Sequence, residues 1–222
     1  MSIDQIFSVN HIVWTIWSYE LSLIELLATV LGLWSFIQIV RRKISGLVVA
    51  LFSVSITAVL FYQLRLYSDM MLMGYYLLVA LIAIRTWQGN RKQHGGELCV
   101  SRLSIKRMLY LTLAMIVFIL LLRYISAHLN LWFPTFFPEP AAFAWADATT
   151  TVLGITASVL LIRQQSECML IWFISDIISV AVYQKSGVYF LTGVYLIYLL
   201  CDAYGAASWA RSSIADGSAK QD

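Results

Sequence analysis

The sequence predicts an all-α membrane protein whose seven transmembrane helices are arranged 3+1+3. Three observations predict it. Hydrophobic residues make up 60% of the 222 and charged residues only 12%, with a mean hydropathy of +0.78. A soluble domain has about 45–50% apolar and about 25% charged residues. Seven apolar runs are long enough to span a bilayer, at 21–40, 45–63, 70–88, 107–127, 147–162, 168–184 and 187–208. The chain also repeats itself at an interval of 122 residues.

Residues 1–20 precede the first run and contain no Lys or Arg, so they make a poor signal peptide. They read as a periplasmic, interfacial segment, with Trp14 and Trp17 at the headgroup level. Residues 21–88 form a first three-helix repeat. Residues 89–146 hold a cytoplasmic loop, a lone linker helix and a periplasmic aromatic loop, NLWFPTFFPEPAAFAW. All three prolines (Pro134, Pro138, Pro140) fall in that loop, so no span carries a proline kink. Residues 147–209 form the second repeat and 210–222 a cytoplasmic tail.

The basic residues orient the chain. Arg41, Arg42, Lys43, Arg85, Arg91, Lys92, Arg102, Lys106, Arg107, Arg163, Arg211 and Lys220 gather on one side, 12 of the 15 Lys and Arg. Arg65, Arg123 and Lys185 fall on the other. The positive-inside rule then places the N-terminus outside and the C-terminus in the cytoplasm. Seven spans require opposite sides, so count and charge agree. The net charge of +3 is too small to suggest nucleic acid. Cys99, Cys168 and Cys201 lack CxxC spacing, and His11, His94 and His128 lie far apart. Neither a disulfide framework nor a metal site is expected, and no cofactor.

The repeat lays 25–87 over 147–209 without a gap, with 12 of 63 positions identical. TVLG at 29–32 meets TVLG at 151–154, Arg41 meets Arg163, YLL at 76–78 meets YLL at 198–200, and Trp87 meets Trp209. Each repeat holds three spans, and the lone fourth helix restores the orientation. The repeats are therefore parallel, an arrangement that places substrate near the midplane between them.

The stretches YELSLIELLATVLGL (19–33), QLRLYSDMMLM (63–73) and CMLIWFISDIISVAVYQKSGVY (168–189), with the YGAASW ending at Trp209, resemble the PnuC family of bacterial vitamin transporters. The resemblance covers about 19–209. It implies a SWEET-like fold in the bacterial inner membrane, often a homotrimer, and facilitated diffusion of a vitamin that a cytoplasmic kinase then phosphorylates. The absence of a GxxxxGK[ST] motif agrees with transport that needs no energy-coupling domain.

The polar residues within the spans are the candidate site. Asp176 sits at the centre of span six and Asp202 just past the middle of span seven. A carboxylate at a helix centre costs about 2.5–3.5 kcal/mol on insertion scales. These acids therefore either hold helices together or line a cavity that attracts a cation. Their neighbours favour the cavity: Trp172, Asp176, Ser179 and Tyr183 share one helical face, and Tyr195, Tyr198, Asp202, Gly205 and Trp209 another. Aromatic rings beside a carboxylate suit a flat cationic ring.

The first repeat is poorer, offering Ser53, Ser55 and Thr57 on span two and Tyr75 and Tyr76 on span three, of which Ser53 and Tyr76 join the candidate site. Glu25 and Asp147, about a turn inside the outer surface, read as gate or helix-positioning groups, and Trp87 and Trp209 as anchors at the cytoplasmic interface. Nicotinamide riboside transporters of the PnuC family typically carry Gln at the position of Met73 and Asn at those of Ala80, Asp176 and Ser53. The loss of those amides points to the thiamine-transporting branch. Thiamine is thus the expected substrate, with nicotinamide riboside the alternative. An intramembrane enzyme or scaffold subunit is remote: FISDI and LCDAY lack the glycines of a GxGD-like protease setting.

Overall fold

The computed structural model describes residues 11–16, 19–63, 67–132 and 143–218, with backbone alone at 16, 67–69, 129–130 and 215–218. Trp17, Arg65, Lys220 and the proline-bearing part of the aromatic loop lie outside the described residues.

Among the described residues seven helices follow one another: α1 (Leu23–Val40), α2 (Ile44–Gln63), α3 (Tyr67–Gln93), α4 (Ile105–Trp132), α5 (Ala144–Ile162), α6 (Glu167–Lys185) and α7 (Tyr189–Ser218). All seven are long and apolar enough to cross a membrane. Their apolar segments match the expected runs. The ends of α3, α4 and α7 extend beyond them, because polar residues outside lipid continue the helix without a break.

A two-stranded antiparallel hairpin, β1 (Ile12–Ile16) and β2 (Tyr19–Ser22), precedes α1. This departs from the all-α expectation. The segment IVWTI is β-branched and aromatic, which suits extended backbone. Thr15 pairs with Glu20 and Ile12 with Ser22, while a bulge leaves Val13 out of register. Val13 and Trp14 are exposed, as suits an interfacial anchor.

The chain divides into two compact units, residues 1–99 with 162–164, and residues 100–161 with 165–222. In the first unit α1 packs on α2 and α2 on α3. The α1–α2 turn is a Schellman motif: the Arg42 N–H donates to the Ile39 carbonyl at 2.8 Å and the Lys43 N–H to the Gln38 carbonyl at 2.9 Å. Arg42 takes the left-handed conformation this requires, φ 60°. In the second unit α6 packs on α7.

The interval of 122 residues reappears in the backbone. Gln164, 122 residues after Arg42, has φ 52°, and the Gln165 N–H donates to the Leu160 carbonyl as Lys43 does to Gln38. Trp87 and Trp209 are both fully buried, at 0% exposure. That corrects the expectation that they anchor at the membrane interface. Their burial shows that they pack within the protein, and an indole large enough to fill such a position is used at both ends of the interval.

Gly46 explains how closely α1 and α2 approach. A Cβ there would stand 2.7 Å from the Ile39 nitrogen and the Ser35 carbonyl oxygen, both backbone atoms that cannot swing aside. The Ser35 hydroxyl donates to the Gly46 carbonyl at 2.9 Å and closes the crossing. Gly46→Ala is therefore expected to destabilise the protein by about 1–3 kcal/mol, read as a lower melting temperature in detergent. Gly74→Ala is the control: its Cβ meets nothing within 4 Å, and the change should be neutral or mildly stabilising.

Candidate substrate site

Lipid offers no hydrogen-bond partners, so polar side chains in the spans must be satisfied by protein or by cavity water. Most hydroxyls settle on their own helix. Thr57 donates to the Ser53 carbonyl at 2.9 Å, Ser158 to Gly154 at 2.7 Å and Ser179 to Ser175 at 3.2 Å. Ser53 is different, donating across to the Ala28 carbonyl of α1 at 3.0 Å. Its proton is thus used to join α1 to α2, which leaves only its lone pairs for a ligand.

The two aspartates behave otherwise. Asp176 is buried on α6, and Asp202 on α7 is 0% exposed, with neither carboxyl oxygen hydrogen-bonded. Asp176 stands nine residues before the end of α6 and Asp202 thirteen after the start of α7, a difference of four residues. At 1.5 Å per residue that is about 6 Å of depth. Side chains lean towards the N-terminus of their own helix, and the two helices run in opposite senses, so each carboxyl leans towards the other. They come within side-chain hydrogen-bonding reach.

Tyrosines gather beside the pair. The Tyr183 and Tyr195 rings stack at 5.1 Å between centroids with planes 24° apart, and Tyr198 meets Tyr195 edge-on at 6.0 Å. Tyr198 lies close enough to both carboxyls to feel their charge, and Tyr195 to Asp176. Cys168 and Cys201 lie near Asp202. Sequence reasoning missed these thiols and the buried Ser175, since small residues on a helix carry no periodic signal of their own. Ser175 could have been found as the residue 122 beyond Ser53. Trp172 is half-buried on α6.

The structure therefore brings Asp176, Asp202, Tyr183, Tyr195 and Tyr198 together on two packed helices of the second unit. Ser53 and Tyr76, the latter half-buried beside Tyr75, belong to the first unit. Glu25 and Asp147 sit in the first turns of α1 and α5, where negative charge complements the helix dipole. Glu25 forms a capping box with Ser22 and accepts from the Tyr19 hydroxyl at 2.8 Å. These bonds cap the start of α1. Asp147 is exposed.

An apolar cavity of about 440 Å³ lies elsewhere, between α4 and α5. Its twelve lining residues, among them Phe118, Leu122 and Ile155, include no charged side chain and one hydroxyl, Thr156. Nothing there would recognise a cation. Beyond it, Arg123 sits 4.1 Å above the Trp145 ring and ties α4 to the start of α5.

Residues 22–211 match the family described as nicotinamide mononucleotide transporter. The chain belongs to that family. This transporter is 28% identical over 215 residues to the nicotinamide riboside transporter PnuC of Escherichia coli (strain K12), covering 90% of each chain. It is 24% identical over 197 residues to the protein of the same name from Neisseria mucosa, covering 83% of this chain and 70% of that one. Its fold is similar to the crystal structure of the vitamin B3 transporter PnuC, with a TM-score of 0.63, 23% identity and coverage of 86% of this chain and 81% of that one. The chain is an integral membrane transporter and not an enzyme.

Tyr19 supplies a test of the capping geometry. Burial first, then the hydrogen bond and negative charge of Glu25, push its phenol up to about 12. The neutral phenol is the form the fold stabilises. That contribution is complete below about pH 10, the ordinary phenol value, and is lost as pH rises through about 12. Glu25→Gln should lower the pH at which Tyr19 ionises, though not fully to the ordinary value, because burial remains. Phenolate absorbance, corrected against Tyr19→Phe, reads the shift.

Proposed function

We propose that this transporter mediates facilitated diffusion of a cationic aromatic vitamin, nicotinamide riboside in the first place. The observation that carries the cation is the buried Asp176–Asp202 pair flanked by Tyr195 and Tyr198. The vitamin rests on the names of the relatives, which favour the riboside over the thiamine expected from the sequence. Thiamine stays as a second reading because Ser53, Met73, Ala80 and Asp176 stand at the four positions where amides would read a nicotinamide or a ribose.

The family name speaks of the mononucleotide, but a phosphate brought near two carboxylates at low dielectric is repelled. The riboside and not its phosphate is the form this site suits. Phosphorylation by a cytoplasmic kinase would then trap the product by removing it from the exchangeable pool. The 3+1+3 parallel-repeat, SWEET-like arrangement belongs to the same proposal, supported by matching helix lengths and by left-handed residues at 42 and 164. An inner-membrane location, an external N-terminus and a homotrimer complete it.

Purified protein in liposomes, with no ion gradient imposed, should equilibrate nicotinamide riboside without concentrating it. Accumulation driven by a sodium gradient would overturn facilitated diffusion. Binding titrations should rank the riboside above thiamine by at least about 1.4 kcal/mol, tenfold in affinity, and the mononucleotide below the riboside. The reverse order of riboside and thiamine would establish the second reading.

Asp176→Asn keeps the side chain's shape while removing its charge. Removing one partner of a buried ion pair costs about 3–5 kcal/mol, and cavity water should soften this. Affinity should fall at least tenfold while thermal stability in detergent stays near wild type. Normal binding with poor assembly would instead make the acids structural.

A further inference from the structure

We propose that Asp176 and Asp202 share one proton in the empty carrier and release it when the substrate cation binds. The inference rests on the reading of α6 and α7 as the cation site and names how that site is regulated.

Its basis is geometric. Asp202 is fully buried, and among the described residues no donor reaches either of its carboxyl oxygens. The group within reach is the carboxyl of Asp176, itself buried. Two ionised carboxylates have only lone pairs to offer each other. In a low-dielectric setting their charges also repel strongly. A single proton between them removes the repulsion and makes one hydrogen bond, as in other paired carboxyl sites.

Among the described residues, the cations on these two helices stand well away from the pair: Lys185 is nine residues from Asp176 on α6 and Arg211 nine from Asp202 on α7, both exposed. From α7, Tyr195, Tyr198 and Cys201 act on the pair, and from α6, Cys168 and, through its stack on Tyr195, Tyr183. Phenols and thiols of this kind are ordinarily neutral between about pH 5 and about pH 8. Glu167 begins α6, nine residues from Asp176, and accepts from the Leu103 N–H at 3.1 Å. In the rest of the unit, Lys106 and Arg107 open α4, Arg123 is held on Trp145, and Asp147 is in the first turn of α5.

The exchange balances. The empty pair carries one proton and a net charge of −1. The loaded pair carries two carboxylates and one substrate cation, again −1. The proton leaves Asp176 or Asp202 for water on the side from which the vitamin enters, and another is taken up where the vitamin leaves. The charge at mid-membrane depth is therefore the same in both states, which avoids the cost of carrying an uncompensated second charge across. The exchange thus narrows facilitated diffusion to an electroneutral swap of vitamin for proton: at equal pH on the two sides it adds no driving force and transport equilibrates, whereas a pH difference would bias it.

The test uses the full-length protein in detergent with nicotinamide riboside, whose pyridinium charge does not titrate. Calorimetric titration in buffers of different ionisation enthalpy should show about one proton released per vitamin bound. Protons compete with the vitamin, so affinity should rise with pH, by up to tenfold per pH unit. Binding with no proton released and no pH dependence overturns the proposal while leaving the transported cation in place. If the riboside does not bind at all, the functional reading fails, and infrared spectroscopy of the empty protein still decides the proton. The proposal requires a protonated carboxylic carbonyl band that disappears in Asp176→Asn and in Asp202→Asn. Absence of that band overturns it.

Discussion

A hydrocarbon slab accepts no hydrogen bonds, and the arrangement of this protein depends on that constraint. The helical backbone satisfies itself. Hydroxyls such as those of Thr112, Thr149 and Ser158 donate to a carbonyl one turn back on their own helix. Where the chain must turn, the last carbonyls of α1 are closed by a left-handed residue instead of by solvent. Against this background of satisfied groups, a fully buried carboxyl without a donor stands apart. Asp202 is such a group, and the cost of a carboxyl at mid-span is what motivates the proposal that a cation comes there.

At positions 122 residues apart the two halves of the chain share some features and differ in others. Ser53 and Ser175 are both buried, as are Trp87 and Trp209, at positions 122 residues apart. The contrast falls at the acids: Asp176 corresponds to Val54, and Asp202 to Ala80, which is also buried. The first half uses these positions for apolar packing, with Ser53 bonding α1 to α2. The second half places carboxyls there and surrounds them with phenols. In the proposed repeat arrangement, substitution at a few interior positions would supply the charge.

Some of this was legible in the residues. Hydropathy located the spans because a bilayer demands about 20 apolar residues in a row. Helical periodicity placed Asp176 with Tyr183, and Asp202 with Tyr195 and Tyr198, because 3.6 residues per turn repeats faces regularly. The hairpin at Ile12–Ser22 was not read, since four or five residues of β-branched and aromatic character cannot be told from an interfacial coil without a pairing partner. Trp87 and Trp209 were misplaced for a related reason. An indole at the end of a span looks the same whether it faces headgroups or packs against protein.

By itself, then, the sequence determined what is local or periodic: seven spans, the 122-residue interval, two acids at similar depth, and the family the chain belongs to. Only the tertiary structure decided that the two carboxyls meet, that neither oxygen of Asp202 finds a donor, and that Ser53 gives its proton to a neighbouring helix. Those facts depend on the rotation and approach of separate helices. Close packing of side chains sets both, and no single helix encodes the distance to the next.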